Sequence, residues 1–257
     1  MNDLSYIRDE EIKNNIRRFC DILEIAKKNK QVNSTNFLNP KEIEYARKIL
    51  DKEGQIDYII SNVPRGCEKS IIILWDNNIY DKAYIDQFDY LKLLKIDTNS
   101  NLSHRDVLGA ALNLGISRDK IGDIFYSKGI LYLTASPSLA KFLNLNLEKI
   151  KKDKVSTKIV DENVKKDDQE FESIIDVIQS NRLDLLVSAM ASISRSDAKK
   201  LINSGKVKIN YELADDASTK VKESSLVSIR GYGRFIYSKG LGMTKKDKLR
   251  IEYKKYL

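Results

Sequence analysis

The stretch from Arg182 to Gly233 constrains this chain more than any other. It reads RLDLLVSAMASISRSDAKKLINSGKVKIN, then a polar connection, then LVSIRGYG. Asn181 is placed to cap a first helix, with Asp184 three residues on, where a capping-box acid sits. Leu183, Leu186, Val187 and Met190 recur at the spacing of one apolar helix face. Ser194 and Asp197 repeat the start signal; Ala198, Leu201 and Ile202 give a second buried stripe, and Gly205 is a left-handed stop. In Lys206-Val-Lys-Ile-Asn210, Val207 and Ile209 point one way and Lys206 and Lys208 the other. Two short helices, a turn and a pair of strands follow from local rules alone.

Arg195 is the informative residue. A cation at the first position of a helix opposes the backbone dipole by a few tenths of a kcal/mol up to about 1 kcal/mol. A helix N-terminus with an arginine beside it is, on the other hand, a good phosphate site. Lys199 lies one turn further along and Lys200 flanks it. Arg182, Arg195, Lys199, Lys200, Lys206 and Lys208 are therefore expected to form one RNA-facing surface, the plain alternative being a solvated helix and strand face.

The residues Arg-Leu-Asp from 182, Ser-Arg-Ser-Asp-Ala-Lys-Lys-Leu-Ile from 194 and Gly-Lys-Val-Lys-Ile-Asn from 205 resemble the RNA-binding module named after ribosomal protein S4. The tail Ser228-Ile-Arg-Gly-Tyr-Gly-Arg-Phe, the later Thr244-Lys-Lys, and the run from His104 to Ile124 resemble the YlmH family of bacterial proteins. The resemblance covers roughly the second half to two thirds of the chain. It implies a helix-pair-plus-sheet module that binds structured RNA, preceded by an RNA-binding middle domain. Carried onto this sequence, the RNA-binding set is Arg182, Arg195, Ser196, Lys199, Lys200, Lys206, Lys208, Asn210, Arg230, Arg234, Lys245 and Lys246. His104, Arg105, Arg118 and Lys120 are the middle-domain candidates.

Charge placement agrees with that reading. Residues 181–257 hold 17 Lys and Arg against 8 Asp and Glu, a net of +9, whereas the whole chain carries +8. All of the positive excess thus sits in the last 77 residues, the footprint expected of polyanion binding. With two distant cysteines and a single histidine, neither a disulfide framework nor a zinc site is expected. No run approaches the roughly 20 apolar residues of a membrane span, and the polar start, Met1-Asn-Asp-Leu-Ser, does not read as a signal or transit peptide. A cytoplasmic protein is expected, without metal, cofactor or membrane partner, and monomeric.

Along the chain, residues 3 to about 30 are expected to be mostly helical, and Asn39-Pro40 to open a second helix ended by Gly54. Strands are expected at Tyr58–Val63, Ser70–Trp75 and Tyr90–Ile96, with Trp75 as core. The helix after His104 carries Val107, Leu108, Ala111 and Leu112; Gly109 is read as a place where another backbone comes close. Ser117 starts a short helix stopped by Gly122, a hairpin spans Ile124–Thr134 about Lys128-Gly129, and Ser136-Pro137 starts one more helix. Residues 163–170 read as a hydrophilic linker, and Gly240, Gly242 and Thr244-Lys-Lys as a flexible basic loop. The fold class is α+β: an N-terminal helical segment (1–66), a middle α/β sandwich (67–162), a linker (163–172) and the S4-type module (173–257).

The sequence carries none of the common catalytic motifs: no P-loop, nucleophile elbow, cysteine–histidine pair or glycine-rich cofactor loop after a strand is legible. The leading expectation is a non-enzymatic binder of structured ribosomal or transfer RNA. The family resemblance implies a factor on the large ribosomal subunit in rescue or quality control of stalled translation. The alternatives are a cell-division-linked interaction protein and an RNA-modifying enzyme with a cryptic middle-domain site.

Overall fold

The computed structural model describes residues 4–257, which form an α+β protein dividing into two compact units. One comprises Lys13–Asp168; the other comprises residues 4–12 with Gln169–Leu257. The division falls inside the stretch read as a linker. The helical start expected from residue 3 lies partly outside the described residues, and α1 spans Glu10–Asn29.

Among its described residues the first unit contains two larger sheets and a two-stranded ribbon. After β1 (Asn33–Ser34), α2 (Pro40–Leu50) opens on Asn39, which caps it in a reciprocal box with Glu42. The helix ends at Asp51, before the expected Gly54. Strands β2 (Ile56–Ile60) and β3 (Ile72–Asp76) pair antiparallel, with β1 on the other edge of β3. A boundary at 66/67 falls between the paired strands β2 and β3.

The second sheet joins β4 (Lys92–Asp97), β5 (Ile121–Ser127), β6 (Ile130–Ala135) and β9 (Ser156–Val160) in the order β5-β6-β4-β9, all antiparallel. Helix α3 (His104–Asn113) connects β4 to β5, and α4 (Pro137–Asn146) precedes β9, with the short ribbon β7 (Lys149–Ile150) and β8 (Asp153–Lys154) between. The chain therefore runs strand–helix–strand–strand–helix–strand, the split-βαβ topology shared by many RNA-binding sheets. Leu94, Ile96, Leu131 and Leu133 pack toward Val107, Ala111, Ala140 and Leu143 of the two helices. Strand alternation sends Leu93, Phe125 and Tyr132 to the opposite face, where they pack on Phe37, Ile71, Ile73 and Trp75. Trp75 is 1% exposed, as core.

Two glycines differ from their expected roles. Gly122 stops no helix: it lies in β5, where an added Cβ would collide with Thr134 Oγ1 and the Phe37 ring. Gly109 admits no neighbouring backbone; nothing lies within 4 Å of an added Cβ there. Lys128 and Gly129, both at positive φ, make the hairpin turn as expected.

The second unit is a six-stranded sheet carrying two helices. The helices are α5 (Leu183–Ala191) and α6 (Arg195–Asn203). The strands are β10 (Phe171–Ile178), β11 (Val207–Ile209), β12 (Glu212–Leu213), β13 (Ser225–Ile229), β14 (Gly233–Met243) and β15 (Leu249–Tyr256), in the order β10-β15-β14-β13-β11-β12. The core joins Leu183, Leu186, Val187, Ala198 and Ile202 of the helices to Val207, Val227, Ile229, Phe235 and Ile251 of the sheet. Strand β10 is not expected from the sequence, and Gly240 and Gly242 belong to β14, across two register shifts, rather than to a loop.

The two glycines give opposite predictions. Gly122→Ala should destabilise the first unit by about 1–3 kcal/mol, because Phe37 and Thr134 must give way. Gly109→Ala, in an open helical position, should stabilise it by up to ~1 kcal/mol. Thermal melts of the two variants should shift in opposite directions.

Candidate nucleic-acid interface

The S4-type module is built around a buried acid. Asp184 does not complete a capping box: the first residue before α5 is Arg182, with no side-chain cap. The Asp184 side chain is 0% exposed, and its carboxylate accepts Arg182 Nε and Nη2 at 3.1 Å each and Arg195 Nε at 2.9 Å. Its own N–H donates to Ala217 O at 3.0 Å. Burial pulls its pKa up, the hydrogen bonds and charges of Arg182 and Arg195 pull it down, and the net is below the ordinary range. Fixing two guanidinium groups on one carboxylate leaves Arg182 34% and Arg195 44% exposed, so both present charge outward from a held position.

The turn between the helices is equally specified. Ser192 adopts a left-handed conformation, and Ser188 Oγ donates to Ile193 O at 2.6 Å. Ser194 Oγ accepts the Asp197 N–H at 3.1 Å, which takes one amide of the α6 N-terminus out of ligand reach. Asp197 also holds Lys200 Nζ at 2.9 Å, and Ser196 Oγ lies 2.8 Å from Ser194 Oγ. Lys199 is exposed on α6; Lys206 and Arg230 are exposed and tied by an Arg230 N–H to Lys206 O bond of 2.8 Å. Beside Arg195 an open cleft of about 490 Å³ is lined by Ser188, Ser192, Gln179, Asp176 and Lys248 among others. Lys248 belongs to the turn that holds Lys245 and Lys246, both exposed, and it was missed by sequence reasoning.

The expected single surface is divided. Register aligns Lys208 with Ser228 and Ser228 with Arg234, while Val207, Val227 and Phe235 face the helices. Side-chain alternation therefore puts Lys208 and Arg234 on the sheet face opposite α5 and α6. Arg234 stacks over the Tyr256 ring at 4.5 Å and over Tyr211 at 5.9 Å. Lys208 Nζ meets Glu11 at 3.0 Å and buried Asp9 at 3.6 Å. Burial lowers its pKa, Glu11 and Asp9 raise it by more, and the ammonium stays charged but neutralised. Asn210 is spent on the backbone: its Oδ1 accepts the Leu226 N–H at 2.9 Å. The helix-side group is Arg182, Arg195, Ser196, Lys199 and Lys200, with Lys206 and Arg230 at the end of the paired strands.

In the first unit, His104 is the first residue of α3, capped by Ser103 and Asp106. Lys151 and Ser103 hold the Asp106 carboxyl down to about 2. Arg105 opens with Lys149 and Lys151 on a cleft of about 590 Å³. Arg118 and Lys120 form a 3-10 turn before β5. Among the described residues no cluster of His, Cys, Asp and Glu could hold a metal ion, and no helix is long and apolar enough to cross a membrane.

Known proteins match on these same elements. The family model described as "Putative RNA-binding domain in YlmH" matches residues 86–164, and the S4 domain model matches residues 182–227. The chain is thus an RNA-binding protein with a C-terminal S4 domain. It is 30% identical over 224 residues, 86% of each chain, to the ribosome-associated protein quality control protein P2 of Bacillus subtilis (strain 168). A solved structure, the cell division protein ylmH from Streptococcus pneumoniae, aligns at a TM-score of 0.48 and 20% identity, covering 58% of this chain and 91% of that one. The chain belongs to the YlmH family, that of ribosome-associated protein quality control protein P2.

Asp184→Asn should cost on the order of 3 kcal/mol, because two partly buried arginines lose their shared anion. The folded-state pKa is depressed. The stabilisation is therefore complete above the unfolded value of about 3.9 and lost as pH falls through the lower folded value. Urea unfolding should separate wild type from Asp184→Asn at pH 7 and bring them together toward pH 2.

Proposed function

We propose that this chain is a non-catalytic, monomeric, cytoplasmic factor that binds structured ribosomal or transfer RNA. It would act on the large ribosomal subunit in rescue or quality control of stalled translation. One observation carries the reading: two arginines are locked on buried Asp184 with their outer sides exposed, and α6, which Arg195 opens, also carries exposed Ser196, Lys199 and Lys200. Preorganised guanidinium groups lose little freedom on gripping phosphates, and they recognise a folded backbone by the positions of its phosphates rather than by base sequence. Lys206 and Arg230 widen this surface, Lys245 and Lys246 extend it, and the cleft beside Arg195 leaves room for a nucleotide. The family membership and the name of the Bacillus subtilis relative support the ribosomal setting.

Arg195 holds Asp184 as well as facing outward, so its loss should lower both affinity and melting temperature. Lys199 and Lys206 are exposed, and among the described residues their ammonium groups hold no acid, so they separate the two effects. Lys199→Ala with Lys206→Ala should keep the melting temperature within a degree or two. Binding to purified large subunits should weaken, and the slope of log affinity against log salt should fall by about 1 for each phosphate no longer neutralised. Equal affinity and slope for wild type and the double variant would count against this surface.

A further inference from the structure

The two edges of the six-stranded sheet differ. At one edge β12 has two residues, and Asp9 Oδ2 accepts the Leu213 N–H at 3.1 Å. A short strand with its amide taken offers little to another chain. At the other edge β10 has eight residues, and among the described residues no strand lies beyond it.

The register fixes where the backbone groups of β10 point. Leu257 N–H donates to Glu170 O at 3.2 Å, in line with the pairing that starts at Phe171 and Tyr256. Antiparallel pairs alternate between bonded and unbonded, so Glu172, Ile174, Asp176 and Ile178 spend their backbone groups on β15. Phe171, Ser173, Ile175 and Val177 turn theirs outward. The Val177 N–H agrees, since it donates to the Asp176 carboxylate at 2.6 Å. The outward set also carries exposed apolar side chains: Phe171 is 37%, Ile175 53% and Val177 43% exposed. Lysine, proline and bulges protect many such edges, and β10 has none of them.

Charge decides what fits. From Gln169 to Asn181 the chain holds Glu170, Glu172 and Asp176 and no base, beside residues 181–257 with their net of +9. These acids repel a polyanion. A second copy of the chain is disfavoured too. In antiparallel self-pairing centred on Ile174, each Glu172 stands opposite Asp176 of the other copy, and like charges directly opposite destabilise a sheet. A basic strand meets the reverse situation. It would lie about 4.8 Å from β10 and about twice that from β15. Glu172 and Asp176 therefore outweigh Lys254 and Lys255 of β15, whose fields are screened over ~8 Å. Arg195 and Lys248 share a cleft with Asp176 and Val177 at the far end of β10, so basic side chains of a guest are best placed beside Glu172.

We propose that the β10 edge docks an extended, lysine- or arginine-rich polypeptide segment, added to the sheet as a further strand. Backbone bonds to Phe171, Ser173, Ile175 and Val177 hold it. Ile174 and Ile178 face the helices, so the guest's basic side chains lie on that side with Glu172, and its apolar ones lie with Ile175 and Val177 on the other. The proposal does not depend on the RNA reading.

The test uses the full chain and a fluorescein-labelled peptide of alternating lysine and valine, matched to β10 in length. Anisotropy titrations should show binding, and hydrogen exchange should slow at Ser173, Ile175 and Val177. A fully N-methylated copy keeps the charge but cannot donate to the edge, and it should bind at least about tenfold more weakly. Ile175→Pro removes an outward donor while sparing the bonds to β15, and should have the same effect. Glu172→Lys with Asp176→Lys should lose the lysine peptide and gain one of alternating glutamate and valine. This charge variant decides the matter if Ile175→Pro unfolds the module. Equal binding of the plain and N-methylated peptides, or of wild type and the charge variant, overturns the proposal. Protection of the β10 amides by an RNA hairpin or by self-association, with none from the peptide, overturns it as well.

Discussion

One buried carboxylate organises the S4-type module. Asp184 has no exposed surface, yet it remains an anion because Arg182 comes from the residue before α5 and Arg195 from the start of α6. The same carboxylate ties the two helices together and fixes the direction of both guanidinium groups. Arg195 sits where the helix dipole disfavours a cation, and the carboxylate one helix away offsets that cost. The fold and the outward direction of both guanidinium groups therefore share an interaction, and neither arginine is a purely surface residue.

The two units use their sheets in different ways. In the S4-type module one face carries helices, and the other carries the Lys208–Ser228–Arg234 row, with Arg234 lying on Tyr256. In the first unit both faces of the four-stranded sheet are covered, by α3 and α4 on one side and by the β3 layer on the other. A sheet topology common among RNA-binding domains thus does not bring an open base-stacking face with it. On that sheet the stacked pair Phe125 and Tyr132 is closed off from solvent.

Much of the fold was legible because local signals were strong. The apolar stripes of α5 and α6, the Asn39-Pro40 start, the Lys128-Gly129 hairpin and the Ile-rich β3 each stand where spacing and propensity place them. What was illegible depends on partners distant in sequence. Strand β10 begins inside the stretch read as a linker, and Phe171, Ile175 and Val177 stay exposed; pairing with β15 makes it a strand. Asp184 carries the spacing of a capping acid, and its burial between two arginines requires knowing where Arg195 lies. The set of basic residues was legible, but its geometry was not. Alternation along β11 and β14 turned Lys208 and Arg234 away, and Asp9, some two hundred positions earlier in the chain, met Lys208.

The pairing of β10 with β15 has a consequence for how the module is made. Eight consecutive residues of each strand are matched, from Phe171 with Tyr256 to Ile178 with Leu249. The first strand synthesised has no hydrogen-bonding neighbour except the last. During translation both helices and the inner strands can assemble while β10 waits with its backbone amides turned to water. The sheet closes only after its final strand has cleared the exit tunnel, so the edge of this module is finished as a late, non-local event.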